Sequence, residues 1–189
     1  MTTTTDPDDP VERARRGDPA AWSDLYEAVT GRLLVWLRSR PSGDVAVAAE
    51  DIVAEAWLVA AQSIADFSGD GDAFAGWLFG IARNLTLNAR RRSARRGTDP
   101  TDTSVAPETW GVVAGVADEV AATDWVRRQL ASLSPREADV LAAMEVAGLD
   151  AAQTATALGM SVTAVRVARH RGLTRLRRTA EPRPTFTLA

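Results

Sequence analysis

Apolar side chains recur every three to four residues along three successive stretches of the first half of this 189-residue sequence, the period of a helix with one buried face. From about Pro19 to Arg38 the repeat is Trp22, Leu25, Tyr26, Val29, Leu33, Trp36 and Leu37, and Pro41, Ser42 and Gly43 close it. From about Val45 to Ala65, Ile52, Val53, Ala56, Trp57 and Ala60 share one side, while Glu50, Asp51 and Glu55 face another. The turn Ser68-Gly69-Asp70-Gly71-Asp72 breaks that pattern. A third helix begins near Ala73, with Phe74, Trp77, Leu78, Ile81, Ala82 and Leu85 on its apolar face.

The second half is punctuated by helix caps. A helix from near Ala121 carries Trp125, Val126 and Leu130. Ser134 and Glu137 then have capping-box spacing, with Pro135 at the first helical position, which starts a helix running to about Val146. Gly148 stops it, and Asp150 with Gln153 repeats the pattern for a short helix to Leu158. After the turn Leu158-Gly159-Met160-Ser161, Ser161 caps a last helix to about Arg178. A short helix, a glycine turn and a longer basic helix make a helix-turn-helix.

The expected fold is therefore all-α, in two small helical domains. Residues 18–96 form the first and 121–180 the second, joined by a flexible acidic linker over 97–120. Residues 1–17, rich in Thr, Asp and Pro, read as a disordered acidic leader, and 181–189 as a short tail.

A net charge of -3 hides an uneven distribution. Six arginines and no acid lie between Arg83 and Arg96, and six more, again without an acid, between Ser161 and Arg178. The span from Thr98 to Asp124 carries six acids and no base. Like charges along one helix repel, and a phosphate backbone relieves that repulsion. In a helix-turn-helix the second helix enters the major groove, so Thr163, Ala164, Arg166, Val167, His170 and Arg171 are candidates for the groove side, with Val162, Val165 and Leu176 packing inward. The first arginine run follows a helix dense in aromatics beside a glycine-rich turn. Stacking surfaces and cations combine in that way to hold single-stranded bases; Phe67, next to the turn, is the candidate stacking residue, and Phe74 and Trp77 are read chiefly as core.

Other classes are disfavoured. Without cysteine there is no disulfide, thiolate metal site or thiol sensor, and a single histidine, His170, makes a self-contained zinc site improbable. No cofactor is expected. The carboxylates are dispersed, so an enzyme is disfavoured. The N-terminus lacks a basic flank and an apolar run, and no apolar stretch approaches membrane-spanning length, so a cytoplasmic protein with no membrane insertion is expected.

Three segments, in this order, resemble the extracytoplasmic-function sigma factors of bacterial RNA polymerase, in the sigma-70 family. Ala49-Glu50-Asp51-Ile52-Val53-Ala54-Glu55-Ala56-Trp57 is similar to the family's polymerase-docking helix. Phe74-Ala75-Gly76-Trp77-Leu78-Phe79-Gly80-Ile81-Ala82-Arg83-Asn84, continuing to Arg90-Arg91-Arg92, resembles its minus-ten helix. Leu133 through Val140-Leu141 to Leu158-Gly159-Met160-Ser161 and Val165-Arg166 resembles its minus-thirty-five domain. The resemblance implies docking on the clamp helices of the large polymerase subunit through Glu50, Asp51 and Glu55. It implies capture of the unpaired minus-ten strand by Phe67, Arg83, Asn84, Asn88 and Arg91. It also implies minus-thirty-five contacts from Ser161, Thr163, Ala164, Arg166, Val167, Arg169, His170, Arg171 and Arg175. Core RNA polymerase, promoter DNA and an anti-sigma factor are the implied partners, and the acidic linker is implied to lie in the RNA exit path. The chain departs from the family pattern at Ala48 and Ala54, in a loop one residue longer after Phe67, at Arg169, commonly a packing leucine, and at Ala168, often arginine. Two rivals stand beside this reading: a helix-turn-helix regulator acting without core polymerase, and a protein that uses these helices only to bind another protein.

Overall fold

The computed structural model describes residue 6 and residues 8–40, 48–95 and 114–179, and among them there are eight α-helices and no strand. Helix α1 (Pro10–Arg15) and helix α2 (Pro19–Ser39) each start on a proline behind an aspartate cap: Asp9 accepts from the Val11 and Glu12 amides, and Asp18 from Ala20. Helix α3 (Ala49–Ser63) continues into a 3-10 turn (Ile64–Asp66). Helix α4 (Gly71–Arg95) is capped by Asp70, whose carboxylate accepts from the Ala73 amide. Helix α5 (Ala114–Ala131) leads to α6 (Pro135–Leu141), which widens into a π turn over Ala142–Val146. Helices α7 (Ala151–Leu158) and α8 (Val162–Thr179) follow. Both expected capping boxes form, Ser134 with Glu137 and Asp150 with Gln153.

Two expectations need correction. Residues 10–15 of the expected disordered leader are helical, because Val11 and Ala14, three residues apart, bury one face of α1 against the first domain. Six residues are too few for periodicity to register, and tertiary packing, not propensity, holds so short a helix. The stretch expected as linker is helical from Ala114 onward, where α5 begins. The remainder, 97–113, the leader residues 1–5 and 7, and the tail lie outside the described residues.

The first domain packs α2, α3 and α4 around Leu33, Trp36, Ile52, Phe74, Leu78 and Phe79. The second packs α6, α7 and α8 around Val140, Leu141, Leu158 and Val165. The two halves are not held apart but share one continuous core along a seam of α4 on α7 and α2 on α5 and the π turn. Glycine makes the closest approach possible: a Cβ on Gly76 would lie 2.7 Å from the Gln153 carbonyl oxygen and 2.8 Å from its Cα, both backbone. Polar contacts fasten the edges. Arg32 donates to the carbonyls of Ala147 and Gly148 at 2.8 Å each, Arg127 Nε to Arg38 O at 2.5 Å, and Gln153 Nε2 to Asp72 O at 2.7 Å. Arg40 Nη2 pairs with Asp139 Oδ1 at 2.9 Å.

Candidate nucleic-acid interface

Phe67 lies in the short connection between the 3-10 turn and α4, half-buried, with its ring stacked on Trp77 at 4.5 Å between centroids and 21° between planes. It also meets Phe74 edge-on at 6.1 Å. Phe74 itself is fully buried, which places it in the core, as expected. The loop folds over the Phe67 ring so closely that a Cβ on Gly69 would sit 2.4 Å from Phe67 Cζ. Trp77 is thus the stacking partner of Phe67, a role the sequence conceals because position 77 also reads as part of the apolar stripe of α4.

Along α4, Asn84, Asn88 and Arg91 are exposed, and their spacing of four and three places them on one helical row. Asn88 and Arg91 line an open groove with Glu55, Leu85, Arg92 and Arg95, so a candidate docking carboxylate and minus-ten candidates share one surface between α3 and α4. Arg83 is different. It is half-buried with its Nε enclosed and, among the described residues, without a hydrogen-bond partner, near enough to Arg40 to act on it. Burial, chiefly, pulls the Arg40 guanidinium below its ordinary pKa; Asp139 opposes that shift, and Arg90 and Arg83 add to it.

On α3, Asp51 and Glu55 are exposed, while Glu50 forms an ion pair with Arg38. That hydrogen bond is the main reason its carboxyl titrates below the ordinary range. Leu58 is 59% exposed, one turn beyond Glu55 on the same row. Leu58 was not singled out from the sequence, although it falls outside the apolar side of Ile52, Val53, Ala56, Trp57 and Ala60.

The helix-turn-helix closes as expected. Gly159 adopts the left-handed conformation (φ 64°) that ends α7, and Ser161 Oγ accepts from the Ala164 amide at 3.2 Å to start α8. Val165, Ala168 and Gly172 face inward, where a Cβ on Gly172 would meet Leu141 Cδ1 at 2.9 Å. Ser161, Thr163, Arg166, Val167, His170 and Arg171 are exposed, with Ala164 half-exposed beside them. Arg169 and Arg175, also exposed, are engaged within their own domain: Arg169 Nε donates to Glu145 Oε1 at 2.6 Å, and Arg175 lies 3.4 Å from Glu137 Oε2. An arginine at position 169, in place of a packing leucine, is therefore met by an acid on the π turn. Among the described residues no His, Asp and Glu side chains gather to hold a metal ion, and no helix is long and apolar enough to cross a membrane.

Comparison with known proteins matches residues 25–96 to Sigma-70 region 2 and residues 123–176 to Sigma-70 region 4. The ECF RNA polymerase sigma factor SigD of Mycobacterium tuberculosis is 31% identical over 173 residues, covering 88% of this chain and 80% of SigD. ShbA of Streptomyces griseus, of the same description, is 31% identical over 184 residues, covering 90% and 93%. Among solved structures, CnrH in complex with the cytosolic domain of CnrY superposes with a TM-score of 0.63 at 22% identity, covering 90% of this chain and 94% of that one. The sigma factor RpoE, in complex with the anti-sigma factor NepR from Bartonella quintana, gives 0.59 at 18% identity, covering 83% and 94%.

Proposed function

Since this chain belongs to the extracytoplasmic-function sigma factors, which direct transcription initiation with core RNA polymerase, we propose that its two domains divide promoter reading between them. The observation that carries this division is the pair of exposed faces, Asn84–Asn88–Arg91 beside the Phe67–Trp77 stack, and Thr163–Arg166–Val167–His170–Arg171 beyond the Gly159 turn. The first suits an unpaired minus-ten strand, because stacking and amide hydrogen bonds act on bases already out of the duplex. The second suits the major groove at the minus-thirty-five element, with Arg166 and Arg171 reaching phosphate or guanine and Val167 available to a thymine methyl. Arg169 and Arg175 can offer phosphate their remaining N–H groups while staying paired with Glu145 and Glu137, so these acids compete with phosphate for them. Asp51, Glu55 and the exposed Leu58 form the docking row on α3, and Glu50 joins it on release from Arg38.

The site of action is the cytoplasm, with the polymerase. An anti-sigma partner is part of this reading: RpoE is in complex with the anti-sigma factor NepR, and in a chain without cysteine any thiol-based signal must enter through a partner. The test is reconstitution. Purified protein co-elutes with core polymerase, and the mixture yields run-off transcripts from discrete genomic promoters that neither component makes alone. Duplex DNA binding with no polymerase association, and no transcript, would instead support a helix-turn-helix regulator that acts alone.

A further inference from the structure

Helix α1 lies directly on the loop that presents Phe67, and it grips both ends of that loop. At the exit, the Asp9 carboxylate does two things: Oδ1 caps α1 itself by accepting from Val11 N at 2.8 Å and Glu12 N at 3.3 Å, and Oδ2 accepts from the Gly71 amide at 2.8 Å, the first residue of α4. The fit there is close, since a Cβ on Gly71 would stand 3.0 Å from Pro10 Cγ. At the entrance, Arg15 Nε donates to the Ile64 carbonyl at 3.1 Å, and its guanidinium carbon lies 5.9 Å from the centroid of the Phe67 ring. Glu12 pairs with Arg15 from one turn away and fixes the direction of that guanidinium. The buried side chains Val11 and Ala14 hold α1 in place.

From this geometry we infer that α1 is a clasp on the base-capture loop, with Asp9 and Arg15 as positioning residues that hold residues 64–71 in the conformation presenting Phe67 and Trp77. The inference rests on the reading of Phe67 as a base-stacking residue. The physical reason for such a device is preorganisation. A loop tied at both ends by charge-assisted hydrogen bonds has already given up its backbone freedom, so strand capture does not have to order it. Cation–π attraction from Arg15 further restrains the ring. Neither residue touches DNA in this account; both act through the loop.

The experiment uses holoenzyme assembled from core polymerase and the full chain. The probe is a promoter fragment from the run-off transcripts, opened across the minus-ten element and carrying one abasic site at a time. The quantity read is the ratio of affinities for intact and abasic fragments, which reports base capture and not protein stability. Asp9→Ala and Arg15→Gln each lower affinity for the intact open fragment by about tenfold and bring that ratio towards one at a single position. Asp9→Asn has one acceptor oxygen where the carboxylate uses both, so it can cap α1 or accept from Gly71 N but not both at once, and it restores the ratio only in part. Amide exchange at Gly71 quickens most in Asp9→Ala and less in Asp9→Asn. Phe67→Ala separates the two ideas. If Phe67→Ala abolishes the discrimination while Asp9→Ala and Arg15→Gln only lower the melting temperature and keep the ratio, α1 is structural and the inference is overturned alone. If Phe67→Ala also keeps the ratio, the stacking role falls, and the clasp with it.

Discussion

Arg40 carries a charge into the seam between the domains, at 7% exposure, with its guanidinium over the Trp36 ring at 4.7 Å and, among the described residues, Asp139 as its acid partner. Among the described residues its Nε and Nη1 meet no hydrogen-bond acceptor, and Arg83 and Arg90 add like charge nearby. Removing one partner of a buried ion pair costs about 3–5 kcal/mol, because the other charge is left uncompensated. Here the two partners sit on different domains, so parting the domains rehydrates Arg40 without unfolding either one. Asp139→Ala is therefore expected to enlarge the free protein in small-angle scattering with its helix content kept; an unchanged radius of gyration would refute this. Glu137 gives a pH prediction at the same scale. Burial pushes its carboxyl upward, but the hydrogen bonds from Ser134 and the nearby Arg175 and Arg171 outweigh that and leave it below the ordinary range. A carboxyl lowered in the folded state contributes its full stabilisation above about pH 4.3 and loses it as pH falls through the folded value. The urea midpoint of the protein should drop over that acid range, and Glu137→Gln should flatten that part of the curve. Spacing announced Ser134 and Glu137 as a cap; nothing in the spacing announced that Arg175, thirty-eight positions on, would stand beside Glu137.

At the scale of elements, caps and periodicity left little to tertiary structure. Helices α2, α6, α7 and α8 begin and end within a few residues of the positions their Pro, Ser, Asp and Gly punctuation indicates. Helix α1 escaped because its two buried side chains, Val11 and Ala14, make less than one period of a pattern, and α5 began early because its first turns are too weakly amphipathic to stand out from an acidic span. Helix α4 shows one sequence serving two ends. Gly76 lowers its helix propensity by about 1 kcal/mol relative to alanine, and that cost is tolerated because only a glycine lets α7 approach. Gly76→Ala should raise the intrinsic helicity of α4 and at the same time drive its methyl into the Gln153 backbone, which has no rotamer to yield. The expected readout is a chain that keeps its circular dichroism at 222 nm, as any variant with intact helices does, but becomes more susceptible to protease between the domains. A protease pattern identical to that of the parent would count against the seam.

For the whole molecule, the closed seam and the two promoter elements make incompatible demands. Elements centred about 10 and 35 base pairs upstream lie about 85 Å apart along B-DNA at 3.4 Å per base pair, whereas α4 and α7 are in backbone contact. The chain from residue 96 to residue 113, fully extended, reaches about 60 Å, and the lengths of the domains make up the rest. Reading both elements therefore requires the seam to open. Fluorophores on α2 and α8 should report a short distance in the free protein and a long one in holoenzyme on promoter DNA; an unchanged transfer efficiency in a transcribing complex would exclude opening. The amino-acid sequence by itself determined the all-helical class, the order of helices, the helix-turn-helix and the two arginine-rich faces, because caps, turns and periodicity are local properties of a chain. Only the tertiary structure decided that α1 sits on the Phe67 loop, that Trp77 backs that ring, that Glu145 and Glu137 occupy Arg169 and Arg175, and that the domains close on Gly76. Each of those depends on side chains far apart in sequence meeting in space, and no local period records such a meeting.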